Sequence, residues 1–173
     1  DLRAALQEMT DRHEILRTQL LMIDGEPVQK IPEHVEAEFE DVTSNESDEE
    51  LMKNFLKPFD LSSGKLVRAK LVDKGEYHLM MFDMHHIVGD GMSDEIFTRE
   101  FMSLYNGEEL KPLTHQFKDY SEWMRTRDLS SQAEYWKKQY EDEIPVLDMP
   151  FDYPRPHEQS YAGAITSTML DEE

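Results

Sequence analysis

The sequence predicts an α/β fold of the α+β sandwich kind: a largely antiparallel or mixed sheet with helices packed on it. Three observations carry this expectation. Stretches with apolar residues at helical spacing are interspersed with short β-rich runs, and two pairs of those runs are joined by turn signals. The 173 residues, 38% hydrophobic and 10% aromatic, supply one respectable core and not two, so one domain is expected.

Leu2, Ala5, Leu6 and Met9 recur at helical spacing, and Asp11-Arg12-His13 closes that first helix. In "ILRTQLLMIDGEPVQKI", β-rich runs flank Asp24-Gly25, which supplies the positive φ angles of a tight hairpin. The acidic stretch "EAEFEDVTSNESDEE", anchored by Phe39 and Val42, reads as a short strand followed by a helix N-terminus, where carboxylates complement the dipole. Leu51, Phe55 and Leu56 continue that helix until Pro58 ends it. A turn at Ser62-Ser63-Gly64, a strand over Leu66 to Val72, a turn at Lys74-Gly75 and a strand over Tyr77 to His85 follow. Ile96, Phe97, Phe101, Leu104 and Tyr105 mark a helix after Gly91, stopped at Asn106-Gly107. "FKDYSEWMRTRD" and "SQAEYWKKQYED" are two further helices, the second capped by Ser130 or Ser131. Pro145, Pro150, Pro154 and Pro156 mark an irregular surface segment.

A formal net charge of −20 repels phosphate backbones and anionic lipid surfaces, so neither nucleic acid nor membrane is expected as partner. The absence of cysteine excludes thiolate nucleophiles and Cys-type zinc sites and fits a cytoplasmic location. The chain opens on Asp1-Leu2-Arg3 and closes on "ITSTMLDEE", with strand chemistry in Ile165, Thr166 and Thr168; both ends are expected to be cuts in a longer polypeptide.

The densest chemistry lies in "MHHIVGDG", residues 84 to 91. If the strand holds to its end, His85 and His86 face opposite sides, one toward a cavity and one holding the turn. Either imidazole can accept a proton near neutral pH. Asp90 would cap the next helix or pair with a basic group, and Gly91 would let a backbone N–H approach a reacting oxygen. Catalysis, a hydrogen-bonded structural cluster and metal binding all remain readings of these residues. Diverging imidazoles count against a metal, and none is expected. The other histidines, His13 among them, read as surface or core fillers, and Trp123, Tyr135 and Trp136 as packing anchors. Met80, Met81, Met84 and Met92 read as adaptable core, or alternatively as a flexible tunnel lining.

The chain resembles the condensation domains of non-ribosomal peptide synthetases over nearly its whole length. "RHEILRT" at 12 to 18, "FDLSSGKLVRAKL" at 59 to 71, "HHIVGDGMS" at 85 to 93, "DYSEWMR" at 119 to 125 and "YWKKQYEDEIPVLDMPFDYPRP" at 135 to 156 look like the family's blocks, in order. Lys65 departs from the pattern by replacing a proline. The resemblance implies a chloramphenicol acetyltransferase-like fold of two lobes with a tunnel between them. Residues 1–173 would be the N-terminal lobe, truncated at both ends, and residues 165 to 170 the strand leading into an absent second lobe; alone, it is expected to be inactive.

The implied activity is acyl transfer: amide bond formation between two thioesters held on carrier proteins, in the assembly of antibiotic-type peptides. By position His86 would face the tunnel as base or positioning group, His85 would shape the loop, and Asp90 would pair with Arg68, a structural contact whose loss costs several kcal/mol when well buried. No cofactor is expected to be bound by the domain itself; phosphopantetheine arms would come from the upstream and downstream peptidyl carrier proteins. Adjacent synthetase domains, in the same or a partner chain, are the other expected partners. An epimerization domain is a competing reading within the family, although Met92-Ser93-Asp94 and the Pro-Arg-Pro ending resemble its peptide-bond-forming members. A coenzyme-A-dependent acyltransferase and a non-catalytic docking module for carriers are the alternatives outside it.

Overall fold

A computed structural model describes residues 1–169. The chain divides into two compact units, one covering Asp1–Arg127 and the other beginning at Asp128. Every buried side chain among the described residues belongs to the first.

In the first unit, α1 (Leu2–Arg12) starts at Asp1, whose carboxylate accepts the Arg3 N–H at 3.0 Å. After α1 the residues Glu14–Arg17 coil into a 3-10 turn. The sequence pattern places Ile15–Arg17 in a β-rich run. The difference arises from Arg17, which turns back to donate to the carbonyls of Thr10 (2.9 Å), Asp11 (2.7 Å) and Pro32 (2.9 Å). It thereby satisfies orphan acceptors at the end of α1.

The antiparallel hairpin of β1 (Gln19–Ile23) and β2 (Glu26–Lys30) turns at Asp24 (φ 53°) and Gly25 (φ 84°), as the dipeptide predicts. A second sheet has the order β3 (Glu38–Thr43), β4 (Val67–Asp73), β5 (His78–Met84). Here β3 and β4 are parallel and β4 and β5 antiparallel, so the sheet is mixed. The crossover between the parallel strands is α2 (Asp48–Phe55), opened by a capping box of Ser47 and Glu50.

Alternation along the strands sorts the two faces. Val67 and Ala69 pack with Ala5, Leu6 and Met9 of α1 and Phe101 of α3 (Gly91–Tyr105), with Met80 and Met84 at the border. On the other face Val72 and Met81 pack with Leu51 and Phe55 of α2. Met92, by contrast, is 69% exposed and takes no part in the core expected for it. It lies in the first turn of α3.

The last helix of this unit, α4 (Phe117–Thr126), has no buried residue, and Trp123 is 52% exposed instead of being the expected packing anchor. Its aromatic side chains contact one another along the helix in tilted pairs, Phe117 with Tyr120 and Tyr120 with Trp123, with ring centroids 6.0 and 5.7 Å apart.

In the second unit, α5 (Ser130–Gln139) follows Leu129, and Asp128 accepts the Ser130 N–H at 2.9 Å. The N-cap is Leu129, which makes no side-chain cap bond, so neither Ser130 nor Ser131 caps the helix as expected. Tyr135 and Trp136 are also exposed rather than packed, set edge to face 5.3 Å apart. The proline-rich segment has no regular structure. Of the strand expected at 165 to 170, residues 165–169 are irregular and Leu170 lies outside the described residues. β-branched side chains favour a strand only where a neighbour pairs with it. Among the described residues, no helix is long and apolar enough to cross a membrane.

Candidate functional site

The site is built where β5 runs out. Its ladder ends at the Val67–Met84 pair, and His85 adds one more hydrogen bond, N–H to the Leu66 carbonyl at 3.0 Å. The chain then turns: the Val88 N–H donates to the His85 carbonyl at 3.0 Å, and the Ile87 N–H donates to His85 Nδ1, also at 3.0 Å. The half-buried His85 is thus occupied with its own turn. Accepting at Nδ1 leaves the proton of the neutral ring on Nε2.

His86 is exposed and opens onto a recess also lined by Ile15, Gly89, Asp90, Ser93 and Phe117. The two histidines do differ in surroundings, and the turn rather than strand alternation separates them, because β5 ends before either.

Asp90 is the N-cap of α3. One carboxylate oxygen accepts the Ser93 N–H at 2.9 Å and the Ser93 hydroxyl at 2.8 Å. Those bonds from the Ser93 backbone and side chain hold its carboxyl below the ordinary aspartate range.

The pairing of Asp90 with Arg68 does not occur. Cross-strand register sets Arg68 opposite Asp83, and Arg68 Nε donates to Asp83 Oδ2 at 3.0 Å, with a second bond from Arg68 to the same oxygen. Arg68 also donates to the Lys57 carbonyl and lies 4.0 Å from the ring centroid of Phe59. Its guanidinium is therefore satisfied on the α2 face of the sheet, whereas Asp90 lies beyond the end of β5.

The glycines differ from expectation too. Gly91 is the first residue of α3, its φ is outside the left-handed region, and a Cβ there would meet nothing within 4 Å. No special backbone conformation explains it. Gly89 is the crowded position: a Cβ would lie 2.7 Å from the methyl of Met84 and 3.3 Å from the Ser93 Cβ. Residue pattern alone offered no signal for this, since the crowding comes from side chains on two other elements.

A second group was also missed. Arg12 Nε and His13 Nε2 lie 2.9 and 2.7 Å from one oxygen of Glu100 on α3. Burial pushes the Glu100 carboxyl up, but the bonds from Arg12 and His13 outweigh it and hold the group below its ordinary range. Gln116 continues the clamp, accepting from the Glu14 N–H at 3.1 Å and donating to the Arg12 carbonyl at 2.9 Å. The "RHE" string was the available signal, because three polar residues at a helix end need partners. Among the described residues, no cluster of three or more histidine and acidic side chains could hold a metal.

The geometry leaves one imidazole open at a recess, a neighbouring imidazole locked in a turn, and a carboxylate committed to a helix cap. Such a site can accept or orient a proton at His86, while Asp90 is not free to act as a nucleophile.

Comparison with known proteins adds the following. A family model described as "Condensation domain" matches residues 1–173. The chain is 45% identical to bacitracin synthase 3 of Bacillus licheniformis, over 98% of its own length and 3% of that protein's. It is 44% identical to tyrocidine synthase 3 of Brevibacillus parabrevis, over 94% of its length and again 3% of the other's. The chain therefore spans a small part of these relatives. Among solved structures, the X-domain from teicoplanin biosynthesis is 27% identical, with a TM-score of 0.72 over 90% of this chain and 38% of that one. The epimerization domain from the third module of tyrocidine synthetase B has the same TM-score at 22% identity, over 89% and 39% of the two chains, a likeness of fold alone.

Proposed function

This chain belongs to the condensation-domain family, and from that premise we propose that it carries the catalytic turn for amide bond formation between two carrier-bound thioesters. One carrier presents an acyl, aminoacyl or peptidyl thioester, and the α-amine of an aminoacyl thioester on the second attacks its carbonyl carbon. The C–N bond forms, the C–S bond breaks, and the released thiolate takes up a proton as the amine gives one away. An α-amine ionises at about 8, so a modest stabilisation of its free form suffices.

The observation that carries this reading is the division of labour between the histidines. His86 opens onto the recess, whereas His85 Nδ1 is engaged by Ile87. His86 orients the attacking amine and takes its proton, or stabilises the charged tetrahedral intermediate. His85, Asp90 and Gly91 build the turn and helix start that present it, and Arg68 holds the strand beneath. The phosphopantetheine arms belong to the carriers, and no cofactor is held by this chain. The setting we propose is a cytoplasmic synthetase with neighbouring domains in the same or a partner chain. The 173 residues alone are inactive on this reading, which is supported by the openness of the recess and by a match to only 38% of the solved relative.

The test is single-turnover amide formation between two loaded carrier proteins by the full-length protein that contains this segment. His86→Ala is expected to lower the rate by ~10²-fold or more, the usual contribution of a positioned acid or base. Exchange of the α-proton of a carrier-bound residue, with no amide formed, would assign the chain to epimerization instead. Turnover with a free coenzyme A thioester and no carrier would assign it to the acyltransferases.

A further inference from the structure

The "FDLSSG" block lies in the connection between α2 and β4, in no regular element, yet Phe59 at its start touches the histidine turn. Asp60 folds the block on itself, accepting the Ser62 N–H at 2.9 Å, and the Ser63 N–H donates to the Asp60 carbonyl at 3.1 Å. The Leu61 carbonyl accepts the Leu20 N–H at 2.8 Å, which ties the block to β1. Phe59 is thereby held between two functional groups. Its face receives the guanidinium of Arg68 at 4.0 Å, and its ring meets the His85 imidazole edge to face, with centroids 5.8 Å apart at 87°.

We propose that Phe59 is a positioning residue for the histidine turn, passing the fixed geometry of the Asp83–Arg68 pair to the His85 ring. Arg68 cannot shift without breaking its bonds to Asp83 and the Lys57 carbonyl, so the ring over which it lies is fixed on that side. The edge-to-face contact with His85 sets the plane of the imidazole, and that plane aims Nδ1 at the Ile87 N–H. Ile87 follows His86 directly, so the same bond closes the turn that carries His86 to the recess. Phe59 itself lies outside the sheet, whereas the cation above it is placed by the β4–β5 register that sets Arg68 opposite Asp83.

This rests on the reading of the His85–Gly91 turn as the catalytic one, but its test does not. Carbethoxylation by diethyl pyrocarbonate, read residue by residue by mass spectrometry on the full-length protein, reports how firmly each imidazole is held. Phe59→Met keeps bulk and removes the aromatic edge contact; it is expected to raise the modification rate of His85 about 2- to 10-fold, with His13 unchanged. Phe59→Tyr, which keeps the ring, is expected to restore the wild-type rate. In the amide assay Phe59→Met should lower kcat while leaving KM for either carrier in place.

An unchanged His85 rate in Phe59→Met overturns the proposal. So does a parallel rise at His13, which would report a loosened fold, or a Phe59→Tyr variant as reactive as Phe59→Met. Should Phe59→Met not fold, Phe59→Tyr decides alone: wild-type His85 protection supports the role and lost protection refutes it. A chain that makes no amide but has the expected footprint would retain Phe59 as positioning residue and lose only the assigned reaction.

Discussion

Asp90 and Gly91 are neighbours with separate duties. The Asp90 carboxylate caps α3 through Ser93, so its charge helps the positive end of that helix and is unavailable for covalent chemistry. Gly91 has ordinary helical geometry and open space around it. Replacing it with alanine should therefore leave the thermal unfolding midpoint unchanged or slightly raised, with a stability change within ~0.5 kcal/mol, the usual range for a substitution that touches nothing. If the space beside Gly91 is where the substrates meet, the same methyl group should depress amide formation. Calorimetry and the single-turnover assay on one Gly91→Ala preparation separate the two effects, and a destabilised variant would contradict the open geometry.

At the scale of elements, the connection from α2 to β4 is as consequential as the strands it joins. Gly64 ends its turn at φ 75°, and a Cβ there would stand 3.0 Å from the Arg17 carbonyl and 3.2 Å from Gln19 Cγ. A side chain at this position meets the left-handed penalty and a close backbone neighbour together. Gly64→Ala is expected to destabilise the fold by ~1–2 kcal/mol from the backbone alone, with crowding added to it. Denaturant unfolding measures the loss. A change below a few tenths of a kcal/mol would mean that the turn relaxes freely and that its contact with the 3-10 segment is dispensable.

Across the first unit, α1 and α3 pack through apolar side chains, and one α3 carboxylate ties down the C-terminal end of α1. Glu100 is held below its ordinary range by Arg12 and His13 despite its burial. A group whose folded pKa is depressed adds stability above its unfolded pKa and loses it as pH falls through the folded value. Stability should therefore decline on acidification from the ordinary glutamate range downward. Glu100→Gln should be less stable than wild type at neutral pH and show a shallower decline in acid. Denaturation midpoints collected between about pH 7 and pH 3 test this, spanning the ordinary carboxylate range. Parallel curves for the two proteins would remove Glu100 as the source.

Local chemistry was enough to place most elements. Apolar spacing located α1 and α3, Asp24-Gly25 located the hairpin, Pro58 limited α2, and the histidine motif with its flanking blocks pointed to the family. Each of these signals is carried by residues close together in the chain, where backbone preferences and side-chain periodicity act directly. What acts between distant segments was decided by the tertiary structure. Register gave Arg68 to Asp83 rather than Asp90, packing made Gly89 the crowded glycine and left Gly91 free, and the fold brought His13 from a filler's place to Glu100 on another helix. The exposed rings of α4 and α5 belong with these, since amphipathic spacing says which face is apolar and not whether anything covers it. Ion pairs, close contacts and ring orientations depend on which side chains arrive at the same point in space, and no spacing along the chain encodes that arrival by itself.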